Sequence, residues 1–286
     1  MQSRTCLITG ANSGIGRITA LELARKGFDI IMLCRNLEKA RPVRQEVKKV
    51  SQTGHVDLVW CDMASQSSVM QAAREVADRY DRLDVLVNNA GLYIDKEQYS
   101  SDGIELTFAT NHLGPFLLTN LLVNLLRKGS DPRIVTVSSE AHRWDRGFII
   151  EELAKPRKYN GMRAYGASKL CNILFANELA KRLADDGITS NSLHPGAVKT
   201  NFGQSITSVQ SLVFNLMRPF FISPEKGAET SIYLASSPDI AHETGLYFAK
   251  CRPKTPSTAA QSQHNAGQLW TLSEQLTHLK SRLVTV

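Results

Sequence analysis

Apolar and polar positions along this chain fall into alternating blocks. Short, nearly continuous apolar runs recur at 5-TCLIT-9, 29-DIIMLC-34, 56-VDLVW-60, 84-DVLV-87, 133-RIVTVS-138 and 189-TSNSLH-194, with a weaker one at 245-GLYFA-249. Helical periodicity fills the gaps, at about 14–26, 36–51, 66–80, 103–128, 160–186, 224–236 and 262–279. Short apolar strands separated by amphipathic helices predict a parallel sheet with helices on both faces. Right-handed crossovers make such a sheet doubly wound. No linker, composition break, repeat or low-complexity segment divides the chain. The expectation is a single α/β domain over residues 1–286, with about seven strands.

Two stretches fit this alternation poorly. Residues 140–161 make a long excursion, and residues 200–224 form a long apolar stretch with two prolines. Long loops in compact domains are commonly functional. Phe202, Leu212, Phe214, Met217, Phe220 and Phe221 suggest that 201–223 is an apolar substrate lid, selecting lipophilic ligands. Packing on the core is the plainer reading of the same residues. Arg218 among them also allows shallow membrane contact, a weaker alternative.

Composition narrows the function classes. Of 286 residues, 42% are hydrophobic and 21% charged, which suits a globular domain with a large core. The formal net charge is +7, but Lys and Arg are scattered, with no block of five and no zinc-finger spacing. This reads as a solvated basic surface and not as a nucleic-acid site. Five widely spaced cysteines without a C-x-x-C pair indicate reduced thiols. With no signal-peptide pattern and no run of about 18 apolar residues, a soluble cytoplasmic protein is expected. Seven scattered histidines suggest no metal site.

The first strand runs into 9-TGANSGIG-16, which opens a helix. Glycines let a backbone approach a pyrophosphate, and a helix N-terminus offers free N–H groups. Gly10, Asn12, Ser13, Gly14, Ile15 and Gly16 are therefore candidate dinucleotide contacts, against the alternative of a tight turn. At the end of the second strand, where NAD sites place a carboxylate, stand Cys34 and Arg35. A guanidinium there binds a 2′-phosphate, so NADP(H) is expected over NAD(H). Arg17 and Lys39 read as surface residues.

In 165-YGASK-169, Tyr165 and Lys169 lie one helical turn apart on one face. A phenol with a reference pKa of about 10 becomes a usable proton donor and acceptor beside positive charge. Ser139, at the end of the fifth strand, is placed to donate to a substrate oxygen, with Ser138 as its rival. Pro115 lacks the N–H that the carbonyl of Asn111 would accept, so a kink is expected there. His142 and His194 invite a role as bases; His194, ahead of Pro195, reads as structural.

These segments together resemble the short-chain dehydrogenase/reductases. The resemblance is carried in order by TGANSGIG, Asp62, 88-NNAG-91, Asn111 in NHLG, 138-SS-139, YGASK and 195-PGAVKT-200. It extends to the retinol dehydrogenase branch through 111-NHLGPFLLTNLL-122, 133-RIVTVSSEAH-142, 245-GLYFAKC-251 and 269-LWTLSEQLT-277. It implies a Rossmann-type sheet of order 3-2-1-4-5-6-7 and an Asn-Ser-Tyr-Lys tetrad of Asn111, Ser139, Tyr165 and Lys169, the serine being the second of the pair. It implies further that Tyr165 and Lys169 hold the nicotinamide ribose, and that the kinked asparagine holds a water leading to the lysine. Asp62 and Met63 would meet the adenine. Asn88 and Gly91 would line the ribose, and Ala90 would be a further cofactor contact. Thr200, with Val198, would meet the carboxamide, and Pro195 and Gly196 would be further cofactor contacts.

The implied activity is NADP(H)-linked interconversion of lipophilic aldehydes, ketones and alcohols. Many members of that branch carry an N-terminal membrane anchor; no such segment is read in 1–286, so membrane residence is not expected. A monomer or a homo-oligomer suits the pattern, since family members often pair through the helices at 103–128 and 160–186. The alternatives are an idle NADP(H)-binding sensor, disfavoured by the complete tetrad, and, more distantly, a protochlorophyllide reductase-like C=C reductase.

Overall fold

The computed structural model describes residues 3–144, 148–198 and 221–279. Each apolar run becomes a strand: β1 Arg4–Thr9, β2 Phe28–Cys34, β3 Val56–Trp60, β4 Val85–Asn88, β5 Arg133–Val137, β6 Thr189–Leu193 and β7 Tyr247–Ala249. The helices are α1 Gly14–Arg25, α2 Leu37–Val50, α3 Gln66–Arg79, a short α4 Leu106–Phe108, α5 Gly114–Leu126, α6 Gly161–Arg182, α7 Pro224–Ser236 and α8 Gln263–Thr277. The sheet order is β3-β2-β1-β4-β5-β6-β7-β8, so the expected order stands and gains one strand. That addition, β8 Arg252–Pro253, runs antiparallel to β7. Two exposed residues carry no apolar signal, which is why the sequence pattern does not announce it.

The register explains why the strands are apolar on both faces. Cys6, Ile8, Ile30, Met32, Val85, Val87 and Val135 point into one layer, with side chains of α1, α2 and α7. Their neighbours Leu7, Ile31, Leu33, Leu86 and Ile134 point into the opposite layer, against α3, α5 and α6. Alternation within a strand serves two cores, as in a sheet covered on both faces.

Local signals set the helix ends. Asn36, Ser65, Asn160, Ser223 and Ser262 each cap a helix by accepting from a main-chain N–H in its first turn. Ser13, at the start of α1, makes no such bond. The order also reverses between β1 and β4, so the crevice above their C-terminal ends is the switch point where open α/β sheets bind ligands.

The helix expected over 103–128 is interrupted. A π turn, Ala109–Leu113, joins α4 to α5, and the N–H of Gly114 reaches back to the carbonyl of Ala109. Pro115 sits in the first turn of α5, where its missing N–H does least harm. The irregularity expected around Asn111 therefore takes the form of a π turn. Among its described residues, the excursion at 140–161 carries 3-10 turns at Glu140–Arg143 and Ile150–Glu152. Most of the expected lid, residues 201–220, lies outside the described residues.

Candidate active site

β1 ends at the glycine turn, and the turn is built for close approach. Gly10 and Gly14 have φ of +66° and +52°, a region open chiefly to glycine. A Cβ on Gly16 would strike the carbonyl oxygen of Gly10 and the side-chain amide of Asn89. The turn is braced by Asn89 and Thr9. Asn89 donates through Nδ2 to the carbonyl of Thr9 at 2.8 Å. The N–H groups of Asn89 and Ala90 both reach the Thr9 hydroxyl, at 3.0 and 2.9 Å. Asn89 stands inside the NNAG segment, beside the Asn88 that the pattern singles out. The Asn88 side chain points elsewhere, donating to the Thr119 hydroxyl at 3.1 Å.

Burial pushes the Cys34 thiol up to about 12, opposed by main-chain N–H groups of Ala11 and Asn12 that face its sulfur. The residue at the end of β2 thus supports the turn from below, while Arg35 is exposed immediately beyond it. Arg17 is engaged elsewhere, in an ion pair with Glu46 at 2.6 Å. Asp62, half-buried, shapes its own turn by accepting from the N–H of Ala64 at 3.0 Å. Beside it Met63 is buried, its carbonyl against Gly114. Pro195 and Gly196 follow β6, with Gly196 at φ +91°. Val198 pairs with Ile222 in a parallel bridge, and Thr200 lies outside the described residues.

The four tetrad candidates converge. Tyr165 is buried on α6, and its hydroxyl is hydrogen-bonded to that of Ser139. Burial pushes the phenol above its ordinary range, and the Ser139 hydrogen bond works against that. Lys169, one turn on, places Nζ 5.6 Å from the centre of the Tyr165 ring. Its ammonium donates to the carbonyl of Val137 at 3.0 Å, and burial pulls it down to about 8. Ser138 is no rival to Ser139 in this geometry, because its hydroxyl donates to the carbonyl of Lys169 at 2.6 Å. Asn111 latches the crevice wall: Oδ1 accepts from the N–H of Leu92 at 2.8 Å, and Nδ2 donates to the carbonyl of Leu92 and to Ser168. Ser168 in turn donates to the carbonyl of Tyr165 at 2.8 Å. A Cβ on Gly91 would lie 3.2 Å from Lys169 Nζ and 3.3 Å from Asn111 Oδ1, so that glycine keeps the crevice open between them.

The residues present fit a dinucleotide. The cradle is one that side chains would fill, the first turn of α1 lacks a side-chain cap, and a cation stands at the end of β2.

The family model for short chain dehydrogenase matches residues 4–211. This chain belongs to the short chain dehydrogenase family. Retinol dehydrogenase 14 of Homo sapiens is 42% identical over 296 residues, covering 98% of this chain and 88% of that protein. Retinol dehydrogenase 13 of Homo sapiens is 38% identical, with 97% and 86% covered. WW domain-containing oxidoreductase of Gallus gallus is 39% identical, with 96% and 68% covered. Among solved structures, a protein from Mycobacterium Paratuberculosis superposes with a TM-score of 0.78 at 35% identity, covering 97% of this chain and 94% of that one. The Pseudomonas aeruginosa RhlG/NADP active-site complex gives 0.69 at 25% identity, with 87% and 94% covered.

The chain is thus a short-chain oxidoreductase related to the retinol dehydrogenases, in a family that binds nicotinamide cofactors and acts on alcohol and carbonyl groups. Among the described residues no helix is long and apolar enough to cross a membrane. Among the same residues no group of three or more His, Cys, Asp or Glu is placed to hold a metal ion.

Proposed function

We propose that this short-chain dehydrogenase is an NADP(H)-dependent reductase of lipophilic aldehydes and ketones, able to run in the alcohol-oxidising direction. The observation that carries it is the hydrogen-bonded pair of Tyr165 and Ser139, with buried Lys169 one turn away, at the switch point of the sheet. Gly10, Gly14 and Gly16, the N–H groups opening α1, and Arg35 would hold the dinucleotide. When bound, the reduced dinucleotide supplies a hydride.

The chain's own residues handle the oxygen and its proton. Burial keeps the Tyr165 phenol protonated at neutral pH, the form that donates to a carbonyl oxygen. The Ser139 hydroxyl, already turned to that phenol, donates a second hydrogen bond where negative charge gathers. Lys169 favours the phenolate left after donation, through its charge near the ring. Asn111 fixes the Leu92 and Ser168 contacts that hold this wall in place.

The NADP preference is supported by Arg35 at the end of β2 and by the NADP-bound neighbour in Pseudomonas aeruginosa. The lipophilic substrate class is supported by the retinol dehydrogenase relatives and by the apolar content of residues 201–223. Five free cysteines suit a reducing compartment such as the cytoplasm.

The test is NADPH oxidation against a panel of apolar aldehydes and ketones, with wild type and Tyr165→Phe side by side. The expected result is turnover in wild type and a loss of about 100- to 10,000-fold in the variant, with NADPH still bound. A wild type that binds NADPH and turns over nothing on the panel would instead establish a cofactor-binding sensor.

A further inference from the structure

Beside the tetrad, the turn after β5 is stitched to the C-terminal segment by three side chains. Glu140 accepts from Lys254 Nζ at 3.0 Å, and Arg143 Nη2 donates to the carbonyl of Thr255 at 2.7 Å. His142 lies between them. Its Nε2 is 3.1 Å from the main-chain N–H of Ser257, and its Nδ1 is 2.7 Å from the carbonyl of Ser139.

An amide N–H only donates and a carbonyl only accepts. The two partners therefore fix the tautomer: Nδ1 carries the proton and Nε2 the lone pair. The ring is 1% exposed and packs edge-on against Tyr247, with centroids 5.2 Å apart. With both nitrogens spent, His142 has nothing left with which to act as a base.

Its bond falls on the residue that matters. Ser139 has an extended backbone, φ −156° and ψ 156°, and its hydroxyl accepts from the N–H of Ala141 at 3.2 Å. The Ser139 carbonyl is held by the ring while its hydroxyl is turned to Tyr165. A residue fixed at both ends keeps its oxygen in one place.

We propose that His142 is a positioning residue that fixes Ser139, and that the N–H of Ser257 sets its tautomer, making Lys254–Ser257 part of the support of the active site. This rests on the role given to Ser139 above. The other titratable or charged groups around the ring are Glu140, Arg143, Lys254, His194 and Tyr247. Glu140 is engaged with Lys254, Arg143 and His194, so it does not compete for the imidazole.

Two variants test it without dismantling the fold. An amide-to-ester replacement at residue 257, with the serine exchanged for its α-hydroxy acid, deletes the N–H that His142 accepts and puts no bulkier atom against the ring. In wild type, 15N NMR is expected to show the Nδ1–H tautomer, unprotonated at neutral pH. In the ester variant the freed Nε2 should protonate at higher pH, and the acid limb of kcat should move up with it. His142→Phe keeps the ring contact and loses both bonds; kcat should fall about tenfold with NADPH affinity unchanged. His142→Asn restores a donor near Nδ1 and should recover most of that loss. A His142→Phe enzyme with wild-type kcat, or an unmoved acid limb in the ester variant, overturns the inference. Ser139→Ala separates the two readings. Full activity in that variant removes the role of the serine itself, whereas an inactive Ser139→Ala beside a fully active His142→Phe removes the positioning role alone.

Discussion

Lys169 and Val137 are joined by a hydrogen bond of 3.0 Å between a buried ammonium and a neutral carbonyl. The same carbonyl accepts from Asn172 Nδ2, also at 3.0 Å. Burial pulls Lys169 from 10.5 down to about 8. The unfolded chain therefore holds this proton more tightly than the folded one. Below about pH 8 the full cost is present, and stability is regained as pH rises from about 8 to 10.5.

That cost is about 3 kcal/mol, at about 1.4 kcal/mol for each tenfold in proton affinity. Lys169→Met should therefore stabilise the cofactor-free protein at pH 7 while abolishing turnover. The carbonyl it leaves keeps Asn172 as its donor. Thermal melts at pH 7 and pH 10 check this: the gain should be largest at pH 7 and shrink at pH 10. A lower Tm for the variant at pH 7 would show that the ammonium is better solvated than its burial implies.

The glycine cradle makes a graded prediction. On Gly16 an added methyl meets a main-chain carbonyl, which cannot yield cheaply. Gly16→Ala should cost about 1–3 kcal/mol in urea unfolding and weaken NADPH binding at least tenfold. On Gly91 the methyl meets the flexible end of Lys169 at 3.2 Å and the Asn111 side chain at 3.3 Å. Gly91→Ala should leave stability nearly unchanged and lower kcat. Equal effects of the two on stability would contradict this ranking.

The parts of the fold that the sequence foretold are those carried by local pattern. Continuous apolar runs became β1 to β7, and Asn36, Ser65 and Ser223 capped helices close to where periodicity began. Pro115 announced an irregular helix, but not that it would take the form of a π turn, nor that Asn111 within it would grip Leu92 and Ser168, 19 and 57 residues away. Within the site, Tyr165, Lys169, Ser139 and Asn111 were legible as motif residues. The bracing by Asn89 and Thr9 was not, because it joins positions 80 residues apart. Nor was the tautomer of His142, which is set by an amide N–H 115 residues downstream. Nor was the depth of Tyr165: burial raises its phenol in the cofactor-free protein, and the Ser139 hydrogen bond works against that.

Arg35 sets a prediction on cofactor choice. It is exposed, and no carboxylate occupies the end of β2 in its place. Charge-assisted hydrogen bonds to a 2′-phosphate contribute about 1.5–3 kcal/mol. Arg35→Ala should therefore weaken NADPH about 10- to 100-fold and leave NADH nearly unchanged. Titration of both dinucleotides by fluorescence gives the answer, and equal NADPH affinity in variant and wild type would place the 2′-phosphate elsewhere.

Glu140 links three segments, and acid should unlink them. Burial alone would raise its carboxyl, but hydrogen bonds from Lys254 and Arg143 and the nearness of His194 outweigh it and bring the group down to about 2. A carboxyl held below its ordinary 4.5 contributes stability that is fully present above that value and is lost as pH falls towards about 2. The side chain is 42% exposed, so water and salt screen the contribution to well below what the displacement suggests. Glu140→Gln should unfold at lower urea concentration than wild type at pH 7, and the gap should close as pH falls from 4.5 towards 2. Added salt should narrow the gap at pH 7. Because Glu140 follows Ser139 directly, kcat should fall along with stability. A variant whose urea midpoint tracks wild type across that whole pH range would show that the ion pairs with Lys254 and Arg143 contribute nothing to the fold.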